Sequence, residues 1–159
     1  MRALAEAAAL VGAAVLAAGV MWLVTGGPDR TVPCDPATLE DGYVCLETVM
    51  TAPEGVLWVD ARPRALWERN GMAGSILLTD DAAEDWDSLL AEAGERLVTA
   101  ERVVVYCGQE GCGSSKAVAA KIRESGLAPE VKVLFGGWKA LFGAGVVAAR
   151  SATDPTDSK

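Results

Sequence analysis

The sequence predicts an α/β fold in which helices cover both faces of a small parallel sheet. Short apolar runs have the length and β-branched composition of buried strands; they are Val56 to Asp60, Ser75 to Leu78, Arg102 to Tyr106 and Val131 to Phe135. Stretches with helical spacing of apolar residues lie between these runs. Because strands that alternate with helices pair in parallel and are buried on both faces, this order predicts a helical layer on each side of one sheet.

Five stretches are compatible with helices. They are Ala37 to Met50, a short turn of helix through Trp67, Ala82 to about Leu97, Ser115 to a stop signal at Gly126, and Trp138 to about Gly143. The third has Trp86, Leu89 and Ala93 on one stripe, as an amphipathic helix requires. Gly42 weakens the first prediction, since glycine disfavours a helix interior.

The length and composition fit one domain with an accessory segment. The chain has 159 residues, of which 51% are hydrophobic, enough for a single core. We predict a membrane anchor or signal segment at 1–26, a linker and first helix at 27–52, the main domain at 53–145 and a flexible tail at 146–159.

The segment Ala7 to Val24 contains no charged or strongly polar residue. As a helix it would be about 27 Å long, close to the hydrocarbon thickness of a bilayer. A cleaved signal peptide is the competing interpretation, but no Ala-x-Ala site follows the apolar run. We therefore expect one N-terminal transmembrane helix. Arg2 before it places the soluble domain outside the cytoplasm, on the periplasmic side.

Charge and residue content exclude several functions. The chain carries 14 Lys+Arg against 22 Asp+Glu, a net charge of −8, which argues against a nucleic-acid partner because phosphate binding needs a basic face. It contains no histidine. Cys–His or Ser–His catalysis and histidine-liganded metals are therefore excluded.

Cys107 is the candidate nucleophile. It ends the strand Arg102 to Tyr106 and precedes a glycine-rich loop that opens a helix. A cysteine reacts as its thiolate, and a helix N-terminus stabilises negative charge. The alternative is a small apolar residue that fills a strand end. The reactive interpretation requires the sulfur to be presented to main-chain donors, so burial among aliphatic side chains would argue against it.

The other three cysteines leave alternatives open. Cys34 and Cys45 are predicted either to form a disulfide, which suits an exported domain, or to remain two separate thiols. Cys112 lies five residues beyond Cys107 in the same loop. It would either resolve a modified Cys107 sulfur by forming an intraloop disulfide, or pack under the loop or pair structurally. The cysteines lack paired C-x-x-C spacing, so we expect no metal site.

The segment from Leu57 to Phe142 resembles a single rhodanese domain. VLWVDARP resembles the family's Asp-x-Arg stretch at Asp60 and Arg62, and VVVYC before the glycine-rich loop resembles its active-site segment. VKVLFGGWKAL resembles its Gly-Gly-Trp motif near the carboxyl end. The order and spacing of the three motifs together make the resemblance specific.

The resemblance implies sulfur transfer from a small donor such as thiosulfate to cyanide or a thiol. Cys107 would be the nucleophile and persulfide carrier, and Asp60 and Arg62 would brace its loop; a plain surface ion pair is the alternative for those two. This chemistry implies no cofactor. The loop expected to hold persulfide and substrate comprises Gly108, Gln109, Glu110, Gly111, Cys112, Gly113 and Ser114.

Three further functions compete with sulfur transfer. A thiol-redox relay would cycle Cys107 and Cys112 as a dithiol pair. A catalytically inactive rhodanese-like interaction module would keep the fold alone. Related cysteine phosphatases and arsenate reductases need an arginine at the end of the loop, where this chain has Gly113 and Ser114, which argues against phosphatase chemistry.

Overall fold

The computed structural model describes residues 31–108 and 113–147, together with residue 15. Within this part of the chain, five parallel strands form one sheet in the order β1-β5-β4-β2-β3. The strands are β1 (Tyr43–Val44), β2 (Val56–Asp60), β3 (Ile76–Leu77), β4 (Arg102–Tyr106) and β5 (Val131–Leu134). The predicted α/β fold with a parallel sheet is confirmed.

Five helices accompany the sheet in the described residues. They are α1 (Leu46–Thr51), α2 (Arg64–Asn70), α3 (Trp86–Thr99), α4 (Gly113–Ser125) and α5 (Gly137–Gly143). α3 and α4 pack on one face of the sheet, and α1 and α5 pack on the other. The sheet is therefore covered on both faces, as its apolar strands require.

The central strand β4 shows how the sequence divides the core. Val103 and Val105 point to the face covered by α3 and α4, and Val104 and Tyr106 point to the face covered by α1 and α5. All four are completely buried. Successive strand residues face opposite sides, so one run of apolar residues supplies two cores.

The helix predicted over Ala37 to Met50 is wrong in its first half. Gly42 has φ +90°, a left-handed conformation in which a helix cannot continue. Tyr43 and Val44 then pair with Val133 and Leu134 of β5. Strand pairing satisfies the backbone there, and the helix is confined to α1.

Other boundaries also shift. α3 begins at Trp86 rather than Ala82, because the Asp85 carboxylate accepts a hydrogen bond from the Ser88 N–H at 3.0 Å and caps the helix. α4 begins at Gly113, two residues before the predicted start. Val147, which falls in the predicted tail, is buried in the second core, so the folded unit extends at least to that residue.

The N-terminal apolar segment cannot be compared with its prediction. Apart from residue 15, Ala7 to Val24 lies outside the described residues. Among the residues that the structure describes, no helix has the length and apolar character that a membrane span requires.

Candidate active site

Cys107 directly follows β4, the strand between β2 and β5. Its side chain lies on the same face as Val103 and Val105, beneath α4. The Ser115 hydroxyl, in the first turn of α4, donates a hydrogen bond to the Cys107 sulfur at 3.4 Å. The carboxyl end of a strand, the start of a helix and a hydroxyl donor therefore meet at this sulfur.

The burial of Cys107 differs from the open presentation that the sequence suggested. The residue is only 2% exposed and belongs to the first core. The reason is the strand alternation, which turns its side chain under α4. Burial is not purely aliphatic, however, because the Ser115 hydroxyl contacts the sulfur.

The predicted loop is described only at its ends. Gly108 is exposed, and Gly113 is the first residue of α4. Gln109, Glu110, Gly111 and Cys112 lie outside the described residues. The predicted roles of these loop residues, including Cys112 as a resolving thiol, therefore remain predictions.

A cavity of about 700 Å³ opens beside the start of α4. Its lining includes Ser115 and Lys116 of α4, Phe135 and Gly136 after β5, and residues from the segment before β1. Since Ser115 both borders the cavity and contacts the sulfur, the cavity lies next to the candidate nucleophile.

Asp60 and Arg62 form a buried ion pair at the carboxyl end of β2. Arg62 Nε donates to both Asp60 carboxylate oxygens, at 2.9 and 3.1 Å, and Nη2 donates to Oδ2 at 2.7 Å. The Arg62 N–H adds a hydrogen bond of 3.0 Å. Their side chains are 0% and 5% exposed, so the interpretation as a plain surface pair is wrong.

The guanidinium of Arg62 also reaches two other elements. Nη1 donates to the Asn70 side-chain carbonyl at 3.0 Å, and the guanidinium carbon lies 5.4 Å from the centroid of the Trp138 ring. The Trp138 indole N–H donates to the Asn70 carbonyl at 3.1 Å. The ion pair therefore joins α2 to α5.

α5 in turn holds the backbone of the cysteine. The Trp138 N–H donates to the Cys107 carbonyl at 2.6 Å. Gly137 has φ +54°, and a Cβ at this position would lie 2.5 Å from the Cys107 carbonyl oxygen. Gly137 thus permits a close approach of α5 to Cys107 that a larger residue would prevent, whereas a Cβ on Gly136 would meet Val32 at 2.8 Å.

Tyr106 is a site neighbour that the sequence indicated only as a strand residue. Its hydroxyl accepts a hydrogen bond from the Met72 N–H at 2.9 Å and donates to Ser75 Oγ at 3.4 Å. Burial, reinforced by the negative charge of Asp60, raises the pKa of Tyr106 to about 12. The phenol therefore acts as a neutral hydrogen-bonding group, and no sequence pattern marks its partners.

A disulfide joins Cys34 to Cys45 across a separation of 11 residues. Cys45 is buried between β1 and α1, whereas Cys34 borders the cavity. Of the two states that the sequence left open, the structure contains the bridged one. The bond anchors the segment before β1 to the folded domain.

The fold and the position of Cys107 define a class of α/β domain with one cysteine at the carboxyl end of the central parallel strand. The rhodanese-like domain family matches residues 46–144. The chain belongs to the rhodanese-like family.

This chain is similar to several proteins of solved structure. The BH2092 protein of Bacillus halodurans is 20% identical, with a TM-score of 0.52, over 69% of this chain and 82% of its own. A thiosulfate sulfurtransferase from Pseudomonas aeruginosa is 26% identical, with a TM-score of 0.49, over 72% of this chain and 20% of its own. No curated protein sequence matches this chain. The first of these likenesses shows the fold alone.

Proposed function

We propose that this protein is a sulfurtransferase that carries sulfane sulfur as a persulfide on Cys107. The observation that carries the proposal is the hydrogen bond from the Ser115 hydroxyl to the Cys107 sulfur at the start of α4. A donor aimed at sulfur stabilises a thiolate or a persulfide anion, and the positive end of a helix has the same effect. A cysteine that only filled the core would need neither a hydroxyl donor nor a helix N-terminus beside its sulfur.

The reaction needs two displacements and no external oxidant. The Cys107 thiolate attacks the outer sulfur of a donor such as thiosulfate; a bond forms between the two sulfurs, and sulfite leaves with the electron pair of the broken bond. An acceptor thiolate or cyanide then attacks the outer sulfur of the persulfide. The electron pair of that second broken bond returns to Cys107 as the thiolate.

The structural neighbours of the sulfur have positioning roles in this proposal. Trp138 fixes the Cys107 carbonyl, and Arg62 fixes Trp138 against Asn70. Asp60 neutralises Arg62 within the core. The amides of residues 108–114 would hold the persulfide anion, as the resemblance implies.

Mass spectrometry of the intact protein tests the proposal. The full chain in detergent is incubated with thiosulfate or an inorganic polysulfide. We expect a one-sulfur adduct that a thiol acceptor removes and that the Cys107→Ser variant cannot form. The absence of an adduct with every sulfane donor would contradict the proposal.

Substitution of Ser115 tests the observation itself. Ser115→Ala removes the hydroxyl donor, so the rate of sulfur loading and of alkylation at Cys107 should fall about threefold to tenfold. Ser125→Ala at the far end of α4 is the control, because that hydroxyl donates to the Ile122 carbonyl at 2.7 Å instead. Equal rates for wild type and Ser115→Ala would remove the stabilising role of the hydroxyl.

The burial of Cys107 favours a second candidate, a catalytically inactive interaction module. At 2% exposure the residue is less accessible than reactive cysteines usually are. Alkylation of the folded protein distinguishes the two: an inactive module would react with a small thiol reagent only as fast as it unfolds. Reaction well above that rate supports the sulfurtransferase.

We also propose that the domain is anchored by its N-terminal segment on the outer side of a membrane. The apolar run Ala7 to Val24 and the Cys34–Cys45 disulfide both support an exported domain, since disulfides persist in oxidising compartments. A membrane-impermeant protease should cleave the domain in spheroplasts, whose outer membrane has been opened; full protection of the domain there would contradict this topology.

A further inference from the structure

We propose that the cavity beside Ser115 binds the sulfur acceptor, and that this acceptor is a small zwitterionic thiol that carries an ammonium and a carboxylate group, as free cysteine does. The inference rests on the proposed function of Cys107 and adds the chemical class of its second substrate. The cavity volume of about 700 Å³ lies within the range of small-molecule sites.

About half of the cavity lining lies before the part of the chain that matches the family. Seven of its lining residues precede residue 46, where the family match begins; they are Pro33, Cys34, Asp35, Thr38, Leu39, Glu40 and Tyr43. The opposite wall comes from α4 and from the end of β5. Residues before the family match therefore form one wall of a cavity that Ser115 also borders.

The position of the cavity suits a second substrate. Ser115 lines it and donates to the Cys107 sulfur. A thiol held in the cavity would approach the outer sulfur of a persulfide from the side of Ser115. Entry here also offers a path to a residue that is otherwise buried.

The charges around the cavity are mixed. Lys116 supplies an ammonium group, and Asp35 and Glu40 supply two carboxylates. A simple dianion such as thiosulfate would meet more negative than positive charge there. A zwitterion could place its carboxylate on Lys116 and its ammonium near the two acids, so it is the better complement.

Lys116 is available for such a ligand. Its Nζ lies 3.8 Å from the Glu40 carboxylate, and their side chains are 54% and 80% exposed. Ion pairs this exposed contribute little, so a ligand carboxylate can replace Glu40 as the partner. The Tyr43 ring lies 5.2 Å from the same Nζ and keeps the ammonium on the cavity wall.

The remaining walls are partly apolar. Tyr43 and Phe135 meet edge to face with their ring centroids 6.5 Å apart. On the opposite wall, the disulfide from Cys34 to Cys45 holds the segment before β1. A short carbon chain between the thiol and the charged groups of the ligand would lie against these rings.

Binding of an unreactive analogue tests the site without sulfur chemistry. S-methylcysteine should bind the intact protein more tightly than 2-(methylthio)ethylamine or 3-(methylthio)propionate, which each lack one charge. Lys116→Gln should weaken S-methylcysteine binding about threefold to tenfold. Lys121→Gln is the matched control, because Lys121 lies on the same helix but over the Trp86 ring, and it should bind as wild type does.

Discharge of a persulfidated protein tests the acceptor role. Cysteine, cysteamine and 3-mercaptopropionate are compared, each rate divided by that of the same thiol with a small persulfide to remove intrinsic nucleophilicity. We expect cysteine to be preferred about threefold to tenfold, and Lys116→Gln to abolish the preference.

The outcomes separate the two proposals. If sulfur loads on Cys107 but neither binding nor discharge distinguishes the three charge types, the acceptor site is wrong and the sulfurtransferase stands. If S-methylcysteine binds with the expected dependence on Lys116 but no sulfur loads, the cavity binds the ligand class and the acceptor role is wrong. Equal effects of Lys116→Gln and Lys121→Gln would overturn the assignment of Lys116.

Discussion

Arg62→Met should strongly destabilise the protein, although the residue lies outside the cavity. The substitution keeps an unbranched stem of similar length and removes the guanidinium. Asp60, at 0% exposure, would then lose three hydrogen bonds and its counter-charge. The stacking of the guanidinium on Trp138 would be lost as well.

The expected cost follows from the burial of the pair. Removing one partner of a buried ion pair costs about 3–5 kcal/mol, because the other charge stays in the core without compensation. Asp60→Asn together with Arg62→Met removes both charges. This double variant should recover at least about 2 kcal/mol relative to Arg62→Met alone.

Urea denaturation of the oxidised protein measures these differences. The matched control is Arg64→Met, since Arg64 forms an equally short pair with Glu84, at 2.7 and 2.8 Å, but on the surface. We expect this control to change the midpoint far less. If Arg62→Met cost no more than Arg64→Met, or if the double variant were no more stable than Arg62→Met, the argument from burial would be refuted.

Three further predictions follow from the same structure. Gly137→Ala should lower the free energy of unfolding by more than about 2 kcal/mol and slow sulfur loading, because its Cβ would lie 2.5 Å from a backbone oxygen. Gly126 also has a positive φ but no atom within 4 Å of its Cβ position, so Gly126→Ala should lower the unfolding free energy by only about 1 kcal/mol; denaturation experiments measure both. The folded-state pKa of Tyr106 lies above its ordinary value of 10, so the stability that its protonated phenol contributes is complete below pH 10 and is lost as pH rises through about 12. The free energy of unfolding should therefore fall by about 3 kcal/mol over that pH range, and the Tyr106→Phe variant should show a smaller fall. Reduction of the Cys34–Cys45 bond, whose separation is 11 residues, should lower the unfolding free energy by about 3 kcal/mol, and the double serine variant should not respond to reductant.

The sequence predicts the central elements of the fold well. β2 and β4 have the predicted bounds, because each is a continuous apolar run between clear turn residues. The edge is harder. β1 has two residues, and its partners in β5 lie about ninety positions away in the chain, so local spacing indicated a helix that tertiary pairing prevents.

The site was predictable in its motifs but not in its contacts. Cys107 directly follows β4, as its place in the sequence after the apolar run predicted. The path from Arg62 through Trp138 to the Cys107 carbonyl depends on side chains that are distant in the chain. The burial of Cys107 and the cavity wall before β1 likewise arise from packing, which a single sequence does not display.

The order of the strands places the two halves of the proposed reaction on parts of the sheet that differ in local stability. β4 lies in the middle of the sheet, whereas β1 is an outer strand with two paired residues. Outer strands exchange their amide protons through small local openings, and central strands exchange through global unfolding. Warming should therefore loosen the cavity that distinguishes acceptors well before it moves the Cys107 sulfur at the end of β4. A warmed protein would still take up sulfur, but it would deliver that sulfur to all thiols alike.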